Sequence, residues 1–257
     1  MNFPFRKYHG AGNDFVLFYK SNPSVEFDAD TIKVICDRRY GVGSDGLLVV
    51  EVLRRDHLRI DFYNPDGSVS FCGNGARCAL RMAHDDGLIN DCGNFIGSDG
   101  EHSYVIEAED VELNMYLHES PITIQSDWYV NTGSPHLVMF RKGIDALDMV
   151  QIGRDIRYSD RWKDEGVNVN LVEWIGDVLT MRTYERGVEN ETLSCGTGVT
   201  AAAICAGMER LDLSALNVIT RGGLFRVRWS RSVDDVFTDV KLKGPTKFVF
   251  EGSWAMK

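Results

Sequence analysis

Three short landmarks occur twice along the chain, in the same order and at nearly the same spacing, and no other feature constrains the fold as much. His9-Gly10-Ala11-Gly12-Asn13-Asp14-Phe15-Val16 is echoed by Thr132-Gly133-Ser134-Pro135-His136-Leu137-Val138, the leading glycines Gly10 and Gly133 lying 123 residues apart. Gly41-Val42-Gly43-Ser44-Asp45-Gly46-Leu47 is echoed by Gly166-Val167-Asn168-Val169-Asn170-Leu171 at an offset of 125. Phe71-Cys72-Gly73-Asn74-Gly75-Ala76 is echoed by Ser194-Cys195-Gly196-Thr197-Gly198-Val199 at 123. One such match is chance. Three in order, with offsets agreeing within two residues, indicate a duplicated chain built as two like halves.

Each half shows the same coarse order of elements. Runs rich in β-branched and aromatic residues, bounded by Gly, Asn and Asp, predict strands over Phe15–Tyr19, Leu47–Leu53 and Arg59–Tyr63 in the first half. Their counterparts are Leu137–Phe140, Val167–Val172 and Val178–Tyr184. Cys-Gly-x-Gly then leads into a helical stretch. In the first half Ala76, Ala79, Leu80 and Ala83 share one helical face and Asp85-Asp86-Gly87 ends the run. In the second, Val199 to Met208 is apolar almost all round, as in a helix enclosed on every side. Strands resume over Ser103–Ala108 and Val111–Leu117, then over Leu224–Trp229 and Val236–Leu242. The fold class expected is α/β: two pseudosymmetric domains, each a mixed sheet wrapped around a central helix. The boundary is placed near Glu119-Ser120-Pro121, giving domains of residues 1–118 and 119–246.

Composition narrows the function. The 257 residues carry a formal net charge of −10, which argues against nucleic acid or an anionic membrane as partner, since both require clustered Lys and Arg. The N-terminal segment lacks the apolar run of a signal peptide, and the most apolar stretch, Ala201 to Gly207, is too short to span a bilayer. A soluble, cytoplasmic protein is expected. Its six cysteines then sit in a reducing compartment, where reactive or buried thiols are favoured over a disulfide framework. There is no C-x-x-C and no convergent histidine beside Cys72, Cys78 or Cys92, so no metal site is expected.

Most cysteines are inert core residues, and Cys36, Cys78, Cys92 and Cys205 are read so. Cys72 and Cys195 differ. Each stands just before a glycine-flanked helix start, where backbone N–H groups and the positive end of the helix dipole stabilise a thiolate. The same N–H groups can hold a carboxylate. A thiolate beside a carboxylate cradle suits the α-centre of an amino acid. If duplication aims two such thiols at one carbon, one can remove a proton from one face while the other delivers a proton to the opposite face. A nucleophilic cysteine enzyme needs one thiol with a histidine partner instead. No lysine lies in or beside the paired motifs, so a pyridoxal cofactor is not expected.

Other signals are weaker. Gly41 to Gly46 matches G-x-G-x-x-G, but the strand-like Leu47-Leu48-Val49-Val50 follows where a dinucleotide site requires a helix. Asn64-Pro65-Asp66-Gly67 is a turn that structure alone would explain. Glu185-Arg186 could be an exposed ion pair, and His9 and His136 could be structural imidazoles.

Together the motifs resemble one family, the diaminopimelate epimerases. The resemblance rests on His9 to Phe15, Asp37-Arg38-Arg39 leading into Gly41 to Gly46, Asn64 to Ser68, and Cys72 to Cys78. It continues through Gly133-Ser134-Pro135-His136, Val167 to Asn170, Tyr184 to Gly187, and Glu191 to Gly198. These stretches span essentially the whole chain in the family's order. The resemblance implies a site between the two domains and a C-terminal strand, residues 247–257, that rejoins the first. It implies Cys72 and Cys195 as the acid–base pair, with Gly73-Asn74 and Gly196-Thr197 holding the reacting carboxylate. Asn13, Asn64, Asn168, Glu185 and Arg186 would bind the rest of the substrate, and His136 and Glu185 would tune the thiols. It further implies cofactor independence, a homodimer, and a place in lysine and cell-wall precursor synthesis. Gly46 and Ser134 stand where many members carry Gln and Asn, so those two contacts are not carried over. The proline racemases, which also carry two cysteines, and a catalytically idle amino-acid binding module are the alternatives. The related phenazine-biosynthesis isomerases lack the cysteine pair.

Overall fold

A duplicated sequence should repeat its strand pairing, and the ladders of the computed structural model, which describes residues 2–20, 27–117, 119–234 and 236–255, allow the comparison. The chain divides into two units, Met1–Leu113 with Gly244–Lys257, and Asn114–Lys243. The first contains β1 (Asn2–Gly10), β2 (Asn13–Tyr19), α1 (Ala29–Cys36), β3 (Gly46–Arg54), β4 (His57–Tyr63), α2 (Gly73–Asp85), β5 (Cys92–Gly97), β6 (Gly100–Glu107) and β7 (Asp110–Asn114). Here β1 and β2 pair antiparallel, β2 and β3 parallel, β3 and β4 antiparallel, and β4 and β5 parallel; β5, β6 and β7 continue antiparallel.

The second unit contains β8 (Ile122–Ile124), β9 (Asp127–Asn131), β10 (Pro135–Phe140), α3 (Met149–Arg157), β11 (Asn168–Ile175), β12 (Val178–Glu185), β13 (Asn190–Thr192) and α4 (Gly196–Glu209). They are followed by β14 (Ala215–Thr220), β15 (Gly223–Arg231) and β16 (Phe237–Pro245). The last strand, β17 (Lys247–Ala255), belongs with the first unit and lies antiparallel to β1, Asn2 facing Ala255 and His9 facing Lys247. The first unit therefore reads β17-β1-β2-β3-β4-β5-β6-β7. The second reads β8-β9-β10-β11-β12-β14-β15-β16, and both follow one sequence of pairings: antiparallel, antiparallel, parallel, antiparallel, parallel, antiparallel, antiparallel. A parallel pair needs a crossover, and a helix supplies it each time. α1 and α3 fill the first crossover of their units, α2 and α4 the second.

The ladders also align the halves residue by residue. Val16 faces Leu47 and Leu47 faces Tyr63, as Leu137 faces Val169 and Val169 faces Tyr184. Phe15 thereby corresponds to His136, Leu48 to Asn170 and Phe62 to Thr183. On this alignment Gly133 answers Gly12 rather than Gly10. Both glycines adopt the left-handed conformation, with φ of 99° and 85°, whereas Gly10 is an ordinary strand residue. Inter-strand register, not glycine spacing, decides the match, and the offset of the first landmark is two residues shorter than the motif comparison suggests.

Both central helices are enclosed. α4 is buried without a break from Gly198 to Gly207, as its all-round apolar sequence requires. α2 buries ten of its thirteen residues, including Arg77, which lies off the alanine face. Burial pushes the Arg77 guanidinium down to about 10, with the Cys78 and Cys72 thiols acting in the opposite sense. Around α2, Phe15, Leu48, Leu80 and Phe95 form an apolar core, each side chain contributing roughly 1.5–3 kcal/mol. The two shorter helices are not legible as apolar runs, but each has an aspartate cap. Asp28 accepts from the Thr31 N–H at 2.8 Å and Asp148 from the Gln151 N–H at 3.0 Å, each worth about 1 kcal/mol. Cys36, Cys78 and Cys205 are buried core thiols, and burial raises all three above the usual thiol range. Cys92, expected among them, is exposed at the start of β5, because the strand's alternation turns Phe95 inward. No helix among the described residues is long and apolar enough to cross a membrane.

Candidate active site

Cys72 and Cys195 occupy equivalent positions, each the N-cap of the central helix of its unit, with φ of −134° and −125°. The first helical bonds run from Ala76 N to Cys72 O at 2.8 Å and from Val199 N to Cys195 O at 2.9 Å. The N–H groups of Gly73 and Asn74, and those of Gly196 and Thr197, precede these bonds and lie outside the helical ladder. Such groups, at the positive end of a helix, suit a carboxylate.

The surroundings of Cys72 follow from Asn13. Its Nδ2 donates to the Asp45 carboxylate at 2.8 Å, and since a carboxylate only accepts, Oδ1 must face the other way. Oδ1 accepts from the Cys72 thiol at 3.8 Å and from Asn74 Nδ2 at 3.3 Å. The Gly75 N–H meets Cys72 Sγ at 3.5 Å. An acceptor and a donor therefore flank this sulfur, serving the thiol and the thiolate in turn. Asn74 is fixed in its turn by Arg77, which donates to Asn74 Oδ1. Asp45 is held by Arg38 at 2.7 Å, and Arg38 also pairs with Asp14 at 2.6 Å. The G-x-G-x-x-G stretch thus serves as a charged brace for Asn13, and β3 follows it where a nucleotide fingerprint would have a helix. Asn64 bonds within its own loop, its Nδ2 donating to Ser68 Oγ at 3.1 Å and Ser70 Oγ at 3.0 Å. His9 accepts from the Gly12 N–H at 3.3 Å, which is a structural role in the β1–β2 turn.

Around Cys195 the partners are different. Its Sγ lies 3.4 Å from Thr197 Oγ1, and His136 Nε2 lies 2.9 Å from the same hydroxyl. His136 is fully buried, and burial, with Arg186 adding positive charge, lowers its imidazole to about 3. It is neutral across the physiological range. Asn168 Nδ2 donates to Ser134 Oγ at 2.8 Å, while Asn168 Oδ1 accepts the Arg186 N–H at 2.9 Å. The Arg186 guanidinium reaches Ser134 Oγ at 3.4 Å and the Glu165 carbonyl at 2.9 Å. Glu185 Oε2 accepts from Thr192 Oγ1 at 2.7 Å. Asn168, Ser134, Glu185 and Arg186 thus line one end of the second unit's sheet, and Ser134 ties two of them together. At Gly46 a Cβ would stand 2.3 Å from the Phe62 ring, so no side chain fits there unless Phe62 moves.

Asn170, Thr183, Asp45 and Arg38 complete the two clusters, and none was singled out by sequence. Asn170 lies in the Val167-Asn168-Val169-Asn170 motif, where only Asn168 was read as functional. A groove of about 650 Å³ in the first unit, lined by Phe3, Phe5, Phe18, Phe27 and Glu251 among others, holds none of the site residues.

The fold matches solved structures of a Bacillus anthracis phenazine biosynthesis protein of the PhzF family, with TM-score 0.77, 12% identity and full coverage of both chains. A hydroxyproline epimerase from Agrobacterium vitis matches with TM-score 0.70 and 14% identity, over 98% of this chain and 92% of that one. At such identities the likeness is one of fold. In sequence, a family model described as diaminopimelate epimerase matches residues 5–120 and 128–247. The Flavobacterium psychrophilum protein named diaminopimelate epimerase is 37% identical over 256 residues, covering 95% of this chain and 97% of that one. Its namesake from Aquifex aeolicus is 33% identical over 276 residues, covering 96% of each. The chain belongs to the diaminopimelate epimerase family.

Proposed function

We propose that the protein is an isomerase that interconverts LL- and meso-diaminopimelate without a cofactor, in the synthesis of lysine and peptidoglycan precursors in the cytoplasm. The observation that carries this reading is the recurrence of a cysteine at the N-cap of the central helix in both copies of one topology. Stereoinversion requires an acid and a base that exchange roles, and two equivalent thiols supply them. One thiolate removes the α-proton; the other, as thiol, protonates the opposite face. The N–H groups of Gly73, Asn74, Gly196 and Thr197 take up the charge that develops on the carboxylate, which lowers the barrier to forming the carbanion. Asn13, Asn64, Asn168, Glu185 and Arg186 bind the substrate, mostly its distal ammonium and carboxylate, while His136 and Glu185 tune the thiols. The sequence identities of 33–37% to diaminopimelate epimerases favour this substrate over proline, whose ring offers no distal charge.

The reading further takes the protein as a homodimer. Phe248, Val249 and Phe250 of β17 are each between 44% and 49% exposed, apolar surface suited to a second copy. Light scattering on the purified protein checks the stoichiometry.

The activity is tested with LL-diaminopimelate in D2O, after exhaustive dialysis against a chelator and a carbonyl reagent. Meso product should form with deuterium at one α-carbon. Cys72→Ala and Cys195→Ala should each lose more than about a hundredfold in epimerisation rate. Turnover that persists in either variant, or that requires an added metal or pyridoxal phosphate, would refute the mechanism.

A further inference from the structure

The duplicated ladders place an apolar cluster in one unit and a polar one at the same positions in the other. In the first unit Phe15, Leu48 and Phe62 are 0%, 0% and 7% exposed. Leu48 and Phe15 close on the second glycine of Cys-Gly-x-Gly, a Cβ at Gly75 lying 3.2 Å from Leu48 and 3.5 Å from Phe15. In the second unit the corresponding residues are His136, Asn170 and Thr183, equally buried at 0%, 0% and 3%. They too close on the second glycine, a Cβ at Gly198 lying 2.7 Å from Asn170 Oδ1 and 3.3 Å from His136 Cε1. The fold accepts hydrocarbon at these three positions, so packing does not call for the polar set. Buried polar groups that are fully bonded add little net stability over an apolar core. Their use must lie elsewhere.

The bonding is directional. Thr183 Oγ1 lies 3.0 Å from Asn170 Oδ1, and Asn170 Nδ2 lies 3.1 Å from both the Leu137 carbonyl and His136 Nδ1. The Leu137 carbonyl can only accept, so the group facing it must be the amide NH2. One of its hydrogens goes to Leu137 and the other to His136 Nδ1, which is thereby an acceptor. The imidazole carries its hydrogen on Nε2 and donates it to Thr197 Oγ1. With one lone pair so engaged, the Thr197 hydroxyl can turn its own hydrogen to Cys195 Sγ at 3.4 Å. Thr197 is held in place by Thr132 Oγ1, which donates to its carbonyl at 2.9 Å. Every proton stays on its own heavy atom, and the chain Thr183, Asn170, His136, Thr197 ends in a donor aimed at the sulfur.

We propose that Asn170, acting through His136 and Thr197, is a positioning residue that fixes the imidazole tautomer and so keeps a hydrogen-bond donor on the Cys195 thiolate. The proposal rests on Cys195 being an acid–base residue, and it explains why the polar set occurs in one unit only: Cys72 takes its donor from Gly75 N–H and its acceptor from Asn13. Thr197 is then more than part of a carboxylate cradle. Its backbone faces the substrate and its side chain faces the thiol.

The tautomer is read by long-range proton–nitrogen correlation on uniformly nitrogen-15-labelled protein. The His136 signals are identified by their loss in His136→Gln. Wild type should show the Nε2–H form. Asn170→Asp replaces the donor by an acceptor and should shift His136 to the Nδ1–H or doubly protonated form. With it, kcat should fall roughly 10- to 100-fold while KM stays within about threefold. Should the buried aspartate prevent folding, Thr183→Val keeps the shape and removes the bond to Asn170 Oδ1. A mixture of tautomers and a several-fold lower kcat are then expected. A wild-type His136 carrying its proton on Nδ1, or an unchanged kcat in a variant whose tautomer has switched, would overturn the proposal. The tautomer is read independently of the role of Cys195, and that role fails separately if Cys195→Ala still epimerises.

Discussion

Asp14 lies between two cations, 2.6 Å from Lys7 Nζ and 2.6 Å from Arg38. Burial by itself would raise its carboxyl, but the hydrogen bonds and charges of Arg38 and Lys7 outweigh it and hold the group at about 2 against an ordinary 3.8. A depressed carboxyl stabilises the fold fully above its unfolded value, and that stability is lost as pH falls through the folded one. The window here runs from 3.8 down to about 2, and the depression corresponds to roughly 2 kcal/mol. Asp14→Asn should therefore be less stable at neutral pH, and its stability should fall less between pH 4 and 2 than that of wild type. Urea unfolding of both proteins across that range measures the difference. Parallel curves would assign the acid sensitivity to other carboxylates. The stake is functional as well as structural, because Arg38 also holds Asp45, and Asp45 orients the Asn13 carboxamide toward Cys72.

Among the elements, α3 shows how closely a short helix is fitted to its sheet. Gly153 in its middle is buried, and a Cβ there would lie 2.3 Å from both Cβ and Cγ of Tyr184 on β12. Gly→Ala in a helix interior ordinarily gains up to about 1 kcal/mol. Here the overlapping atoms lie next to the β12 backbone and cannot swing aside, so overpacking of about 1–3 kcal/mol should outweigh the gain. Gly153→Ala is expected to lower the melting temperature. A rise would mean that α3 shifts on β12 without penalty. Tyr184 directly precedes Glu185 and Arg186, so the same variant should also weaken substrate binding by displacing the end of β12.

At the scale of the whole molecule, β17 returns from the end of the chain to complete the first unit. It pairs with β1 from Asn2 to His9, and Phe250 and Phe248 set their rings 6.0 Å from Phe5 and 5.4 Å from Tyr8. Deleting residues 247–257 should expose an edge on β1 and strip Phe5 and Tyr8 of these ring contacts. Amide hydrogen exchange should then accelerate throughout β1 and β2 while β10, β11 and β12 remain protected. Uniform loss of protection over the whole chain would show instead that the two units unfold as one.

Sequence by itself determined the duplication, the pair of thiols at helix starts and the enclosure of α4. Each of these is a local pattern: a repeated motif, a glycine-flanked cap, an unbroken apolar run. Only the tertiary structure decided which residues of the two halves correspond. Ladder register is a relation between distant segments, and it matched Gly133 to Gly12 where motif spacing pointed to Gly10. The same holds for the polar cluster. Asn170 and Thr183 sit in strands, where a polar residue at an alternate position reads as solvent-facing until the neighbouring strand and the enclosed helix show that it points inward. Burial turned them from strand residues with no assigned role into a bonded chain that ends on His136. It also removed Cys92 from the core, because Phe95 faces inward and Cys92 does not.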